Sequence, residues 1–238
     1  MANGSLGMVM TPLDAQVEGV DAVMDRIAAT GATAISMGRA VGREAAPGSG
    51  HRAPPLDIDG YDRVFDRPVW GKRELMLESF AVDTPDTTLY ADTPYKAGWR
   101  DLPADMDGGL PDRIAEDARS RGWKVYTGTS PLAIPGLDPD DQMRWPDGAA
   151  PDPARRVARQ GCPSAPNVRA YAIARVLDTV RAAGPIDGVC LDWLEYTTYL
   201  LEDHFACLSR HSLAHAYSLG YDADRIARDV TALWEHLH

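Results

Sequence analysis

Two carboxylates three residues apart, Asp192 and Glu195, stand among Trp193, Tyr196 and Tyr199 in the stretch Gly188–Phe205. Carboxylates can bind hydroxyls or carry the acid and base steps of acetal cleavage, and aromatic faces stack on the C–H faces of sugar rings. This pairing of residue types therefore points to carbohydrate. Alternation along a strand puts Val189 and Leu191 on one face and Gly188, Cys190 and Asp192 on the other. In a barrel the small residues would face the lumen, with Asp192 at the C-terminal end of the strand, where barrel enzymes hold their chemistry. A second reading stays open, in which Asp192 is a helix N-cap with core aromatics around it.

Other residues can join such a site. Glu78 lies on an apolar run and is either a carboxylate at a barrel mouth or the polar half of an alternation. Asp92, Tyr95 and Trp99 can line a sugar subsite, although Asp92-Thr93-Pro94 is also plain turn chemistry. His204 is a further substrate-binding candidate. Cys207, His211 and His215 fall at i, i+4 and i+8, a spacing that one helix face could offer to a metal. An ordinary helix face explains the same spacing, and the expectation is that no metal or cofactor is held. Cys190, inside a strand, reads as an inert buried thiol.

The elements that position these residues alternate between strand and helix. Leu6–Met10 is a short apolar run closed by Thr11-Pro12, and Val20, Val23, Met24 and Ile27 then follow the helical period to Gly31. Ala32–Met37 is a second apolar run, and the three segments read as a βαβ unit. Glu74–Val82 has β character, and Thr87–Tyr90 is a candidate short strand. Leu110–Arg121 reads as a helix and Trp123–Thr127 as a strand. Asn167 is placed as the N-cap of a helix over Val168–Ala183, Gly188–Asp192 is a strand, and Asp222 caps a last helix. Two stretches without periodicity, about 38–73 and 131–161, read as long loops. Long loops after the strands and short ones before them are the habit of a (β/α) barrel. The expected fold is thus α/β, a parallel barrel of TIM type showing its first four to five βα units. All 238 residues form one domain in this reading. A doubly wound open sheet is the alternative.

Composition excludes some partners. The formal net charge is -11 and no basic run occurs, which does not suit a protein that neutralises phosphates over a wide face. No nucleic acid is expected. No apolar stretch approaches the ~18 residues of a membrane span, and no signal-peptide pattern opens the sequence. The expected setting is cytoplasmic, or extracytoplasmic if the natural start lies upstream. Three cysteines, Cys162, Cys190 and Cys207, do not make a disulfide framework. No G-x-G-x-x-G or P-loop opens a helix, so no nucleotide cofactor is expected. A half barrel would leave unpaired sheet edges, through which a homodimer could form.

Cys162-Pro163, Asn167-Val168-Arg169 and the run Asp187-Gly188-Val189-Cys190-Leu191-Asp192-Trp193-Leu194-Glu195-Tyr196 resemble a bacterial family of hypothetical glycosyl-hydrolase-like TIM barrels. The likeness is best from about Cys162 to Val230. It implies that Gly188–Asp192 is the fourth barrel strand and that Asp192, with Glu195, belongs to the active site. It also implies a partner carboxylate on a later strand. Family members carry Cys-x-Cys-x-x-Cys after this strand. Here the run is Cys207-Leu208-Ser209-Arg210-His211-Ser212, so two of the three thiols are serine.

Three functions compete on these residues. The first is a glycoside hydrolase acting on an oligo- or polysaccharide through carboxylates. The second is a carbohydrate-binding barrel without catalysis. The third is a metal-dependent barrel enzyme, of sugar isomerase or amidohydrolase type, using His204, His211 or His215. Two convergent carboxylates, about 5–5.5 Å apart for retention or about 6.5–9.5 Å for inversion, would separate the first from the second.

Overall fold

The computed structural model describes residues 5–46, 51–53, 75–150, 161–192, 194 and 201–237. They divide into two compact units. The first comprises Met1–Pro85, Trp99–Thr129 and Thr179–Cys190, and the second Asp86–Gly98, Ser130–Asp178 and Leu191–His238.

The first unit is built on a four-stranded parallel sheet. Strands β1 (Gly7–Met10), β2 (Ala34–Met37), β6 (Lys124–Thr129) and β7 (Gly188–Leu191) lie side by side in that order. The register pairs Met10 with Met37, Ile35 with Val125 and Ser36 with Tyr126. The four runs read as strands from sequence are therefore neighbours in one sheet, as the βα alternation requires.

Helices α1 (Pro12–Glu18), α2 (Val20–Ala29) and α3 (Leu110–Ser120) supply the other half of this unit's core. Val23, Met24 and Ile27 of α2 and Leu110, Ile114 and Ala118 of α3 are buried with Met10, Ile35, Met37 and Val125 of the sheet. Each fully buried Ile, Met or Val side chain is worth about 1.5–3 kcal/mol. Local chemistry sets the helix ends. Thr11 precedes Pro12 at the start of α1, and its backbone N–H donates to the Asp14 carboxylate at 3.3 Å. Gly122 takes φ +75° after α3, a left-handed value open to glycine, and turns the chain directly into β6.

The segment read as one aperiodic loop over 38–73 is corrected by the structure. It contributes β3 (Ala40–Glu44) and β4 (His51–Ala53), both antiparallel to β5 (Leu75–Ala81) in a second sheet of order β3-β5-β4. The short strands have no hydrophobic alternation of their own and are held by pairing with β5. On β3 the Gln16 carboxamide clamps Gly42, donating to its carbonyl at 3.0 Å and accepting from its N–H at 2.9 Å. The guanidiniums of Arg43 and Arg100 lie over the Phe80 ring, at 5.1 and 4.1 Å from its centroid.

The second unit packs around a different core: Tyr90, Tyr95, Leu132, Ile134, Leu137, Cys162, Val168 and Tyr171. Its main helix is α4 (Pro166–Ala182), of which the residues up to Asp178 belong to this unit. It also holds α5 (Arg210–Ser218) and α6 (Ala223–Leu237), before which the Asp222 carboxylate accepts from the Arg225 N–H at 3.0 Å.

Two local expectations are corrected here. Thr87–Tyr90 is a 3-10 turn rather than a strand, because the Asp86 carboxylate caps it by accepting from Thr88 N–H at 3.1 Å. Asn167 is inside α4 rather than capping it, and its side chain is engaged elsewhere, as described below. Among the described residues no helix is long and apolar enough to cross a membrane.

Candidate functional site

β7 begins with an anchor. The Asp187 N–H donates to the Val125 carbonyl at 2.8 Å, and its carboxylate accepts from the Val125 N–H at 2.9 Å. Asp187 thereby occupies both backbone groups of Val125 on the neighbouring strand β6. Gly188 follows, where any side chain would crowd the Tyr126 ring. A Cβ there would lie 3.0 Å from two ring carbons of Tyr126. The Asp-Gly pair that opens the motif thus fixes the register of β7 on β6.

Gly188 therefore shares the face of Tyr126, and the register extends that face to Ser36 and Val9. Val9 is 84% exposed, whereas the opposite face carries the buried Met10, Ile35, Met37 and Val125. Cys190 has the parity of Gly188 and is exposed rather than buried as expected, because this face of β7 is open, and Asp192 is the next residue of that parity, immediately after the strand. Asp192 is exposed. Its carboxylate is 3.4 Å from the hydroxyl of Ser130, a donor at the outer limit of a hydrogen bond. Ser130 is the first residue after β6, so the contact joins the residues that leave the C-terminal ends of two adjacent strands. Such a position lets a carboxylate exchange protons with a bound ligand or accept from its hydroxyls.

Ser130 was not legible as a site residue, since Gly128-Thr129-Ser130-Pro131 reads simply as the close of a strand. Trp193, Glu195, Tyr196 and Tyr199 lie outside the described residues. The other candidates have distinct places. Glu78, on β5, pairs with Arg43 at 3.2 Å and with Arg100 at 3.4 Å, beside the Phe80 ring. Trp99 is exposed in the same unit.

Asp92 is exposed in the turn after the 3-10 segment of the second unit. His204 is exposed on a 3-10 turn over Leu201–Phe205. Tyr95 is buried in the core of the second unit rather than forming an open platform. Its ring meets Tyr171 edge-on, 6.2 Å between centroids.

Tyr95 leads to a group of buried carboxylates that the sequence did not reveal. Its hydroxyl donates to Asp141 at 2.6 Å, and Asn167 Nδ2 donates to the same oxygen at 3.1 Å. His211 Nε2 stands 3.1 Å from the other oxygen. Tyr90 in turn donates to the buried Asp178 at 2.9 Å, and Asp86 N–H does so at 2.9 Å. Burial, then these carboxylates, push the Tyr90 and Tyr95 hydroxyls well above their ordinary range. The buried Asp203 accepts from Trp145 Nε1 at 3.3 Å. Asp141 and Asp178 hold loops of the second unit onto α4 and α5, and Asp203 joins the turn over Leu201–Phe205 to Trp145.

Helix α5 starts at Arg210, so Cys207 precedes it and does not share a helix face with His211 and His215. His211 is turned to Asp141, and His215 Nδ1 lies 3.3 Å from the Ser164 hydroxyl. Among the described residues no three of His, Cys, Asp and Glu converge as a metal site would require. The spacing that suggested a shared ligand face is broken by the helix boundary.

No protein-family model matches the chain, and no curated protein matches it in sequence. Among solved structures the chain is similar to the glycoside hydrolase domain of PgaB (BpsB) from Bordetella bronchiseptica, with a TM-score of 0.50 and 15% sequence identity. The match covers 96% of this chain and 54% of that one, so the chain spans about half the length of its structural neighbour. At this identity the likeness concerns the fold: the parallel sheet with its flanking helices is arranged as in part of a glycoside hydrolase domain.

Proposed function

We propose that the chain is the strand-β1-to-β7 portion of a TIM-type (β/α) barrel that binds and hydrolyses an oligo- or polysaccharide, with Asp192 as a reacting carboxylate. The observation that carries this reading is the placement of Asp192 directly after the fourth parallel strand, beside the residue that leaves the third. Active sites of (β/α) barrels are built at that end of the sheet. The likeness to a glycoside hydrolase domain supports the same reading at the level of fold.

In the proposed mechanism Asp192 acts as nucleophile or as acid/base, and Glu195 is the second acid of the segment. Trp193, Tyr196 and Tyr199 offer stacking surfaces, and Asp92 and His204 offer polar contacts to hydroxyls. Ser130 orients the Asp192 carboxylate. Tyr95 supports the site's unit from within.

The test is a panel of neutral, amino-sugar and uronic-acid oligosaccharides. Release of new reducing ends reports cleavage, and calorimetry reports binding. Cleavage of one class supports the hydrolase. Binding without cleavage favours the carbohydrate-binding reading, and neither binding nor cleavage across the panel overturns both.

A further inference from the structure

Cys162 and Cys207 are 45 positions apart in sequence, yet their sulfurs lie 4.0 Å apart within the second unit. Two hydroxyls close the group. Ser209 Oγ donates to Cys162 Sγ at 3.2 Å, Ser212 Oγ lies 3.3 Å from the same sulfur, and the two hydroxyls are 3.3 Å from each other. Two backbone N–H groups, of Arg144 and Ser209, point at Cys207 Sγ at 3.3 and 3.4 Å. Cys162 is fully buried and Cys207 partly so. Neither cysteine lies in a helix or strand, although the Cys162 N–H donates to the Asp141 carbonyl at 2.7 Å and its carbonyl accepts from the Ala165 N–H at 2.9 Å.

A soft metal would need further thiolate, imidazole or carboxylate ligands. Among the described residues the nearest side-chain groups to Cys162 besides Cys207 are serine hydroxyls, and a chemistry open to two adjacent thiols is oxidation. We propose that Cys162 and Cys207 are a redox-active pair that closes to an intramolecular disulfide when a small-molecule disulfide is the oxidant. The sulfurs must approach by about 2 Å to reach bonding distance.

The exchange proceeds in two steps. Cys207, the more accessible thiol, loses its proton and attacks one sulfur of the small disulfide. That S–S bond breaks and the first small thiolate leaves, taking up the proton. Cys162 then loses its proton and attacks Cys207 Sγ in the mixed disulfide, expelling the second small thiol. The protein gives up two electrons and two protons, and the small disulfide becomes two thiols. Ser209 and Ser212, released from Cys162, retain each other as partners. Hydrogen bonding to Cys162, then burial, holds the Cys207 thiol up at about 12, so the exchange is slow.

The two cysteines bracket the segment that contains β7 and Asp192. Closure therefore ties together the sequence on either side of the candidate site, across a loop of about 45 residues whose closure entropy is large.

The test uses the full chain carrying Cys190→Ser, which removes the exposed third thiol. After incubation with oxidised glutathione the protein is unfolded, alkylated and weighed intact. The expected product is about 2 Da lighter, takes up no alkyl group and yields one peptide pair joined through residues 162 and 207. Its Tm should rise by roughly 10 °C and return on reduction. The double variant C190S/C207S should show neither change. Three results would overturn the proposal: two alkylatable thiols after prolonged oxidation, accumulation of the Cys207–glutathione adduct without closure, or stoichiometric zinc retention that blocks oxidation of both thiols.

Discussion

Tyr95 Oη donates a 2.6 Å hydrogen bond to Asp141 Oδ2 inside the core of the second unit. The residue types at 92–99 suggest a sugar platform, but this bond makes Tyr95 one of the hydrogen-bond donors to a buried acid. Tyr95→Phe removes the donor and keeps the ring. The variant should lose about 1–3 kcal/mol of stability, the cost of an under-satisfied buried carboxylate. Urea denaturation followed by Trp fluorescence measures it. A variant as stable as wild type, with weakened sugar binding, would return Tyr95 to the site.

Alkali should weaken the fold from the same region. In the unfolded chain a cysteine ionises near 8.5 and a tyrosine near about 10. Burial and the partners Asp141, Asp178 and Cys162 raise all three groups in the folded state, Cys207 to about 12. The unfolded state therefore releases protons first as pH rises. Stability is fully present below about pH 8.5 and is progressively lost as pH rises toward 12. Y95F and C207S should each flatten this loss. A pH-independent Tm between 8 and 11 would contradict the assignment.

Arg39 joins two loops of the first unit to α3. Its Nε and Nη2 donate to Asp83 at 2.6 and 2.8 Å, and Nη1 donates to Asp112 at 2.7 Å. The guanidinium is mostly buried and these acids hold its pKa up. Lysine keeps the charge but cannot make the fork. Arg39→Lys should cost about 1–2 kcal/mol, read as a lower urea midpoint at unchanged slope.

The parallel sheet was legible because its strands are short apolar runs punctuated by Gly and Pro, with an amphipathic helix between. Ile35, Met37 and Val125 announce themselves locally. The second sheet was not, since β3 reads Ala-Val-Gly-Arg-Glu and becomes a strand through Glu78, Phe80 and their neighbours on β5. The Cys207-His211-His215 spacing assumed a helix that starts three residues too early, before the Ser209 cap. Asp192 could be placed at the strand end from alternation alone. Its neighbour Ser130 is 62 positions away, and only the pairing of β6 with β7 brings the two together. The buried acids Asp141, Asp178 and Asp203 were hidden for the same reason: their partners are distant in sequence.

Ser130→Ala tests the orienting role of the hydroxyl. The 3.4 Å contact is long and exposed, so stability should change by less than about 0.5 kcal/mol. Turnover on the substrate found in the oligosaccharide panel should fall several-fold with KM nearly unchanged. A change in KM alone would make Ser130 a binding residue instead.

The most direct measurement is the turnover of Asp192→Asn on that substrate, together with its Tm. Asparagine preserves size and most hydrogen bonding but removes the charge and the ability to move a proton. If Asp192 is the reacting carboxylate, turnover should fall by at least about 10²-fold while Tm stays within about 2 °C. A helix cap would behave differently, because Asn caps about as well as Asp and neither quantity would change. Unchanged turnover in Asp192→Asn would contradict the assignment.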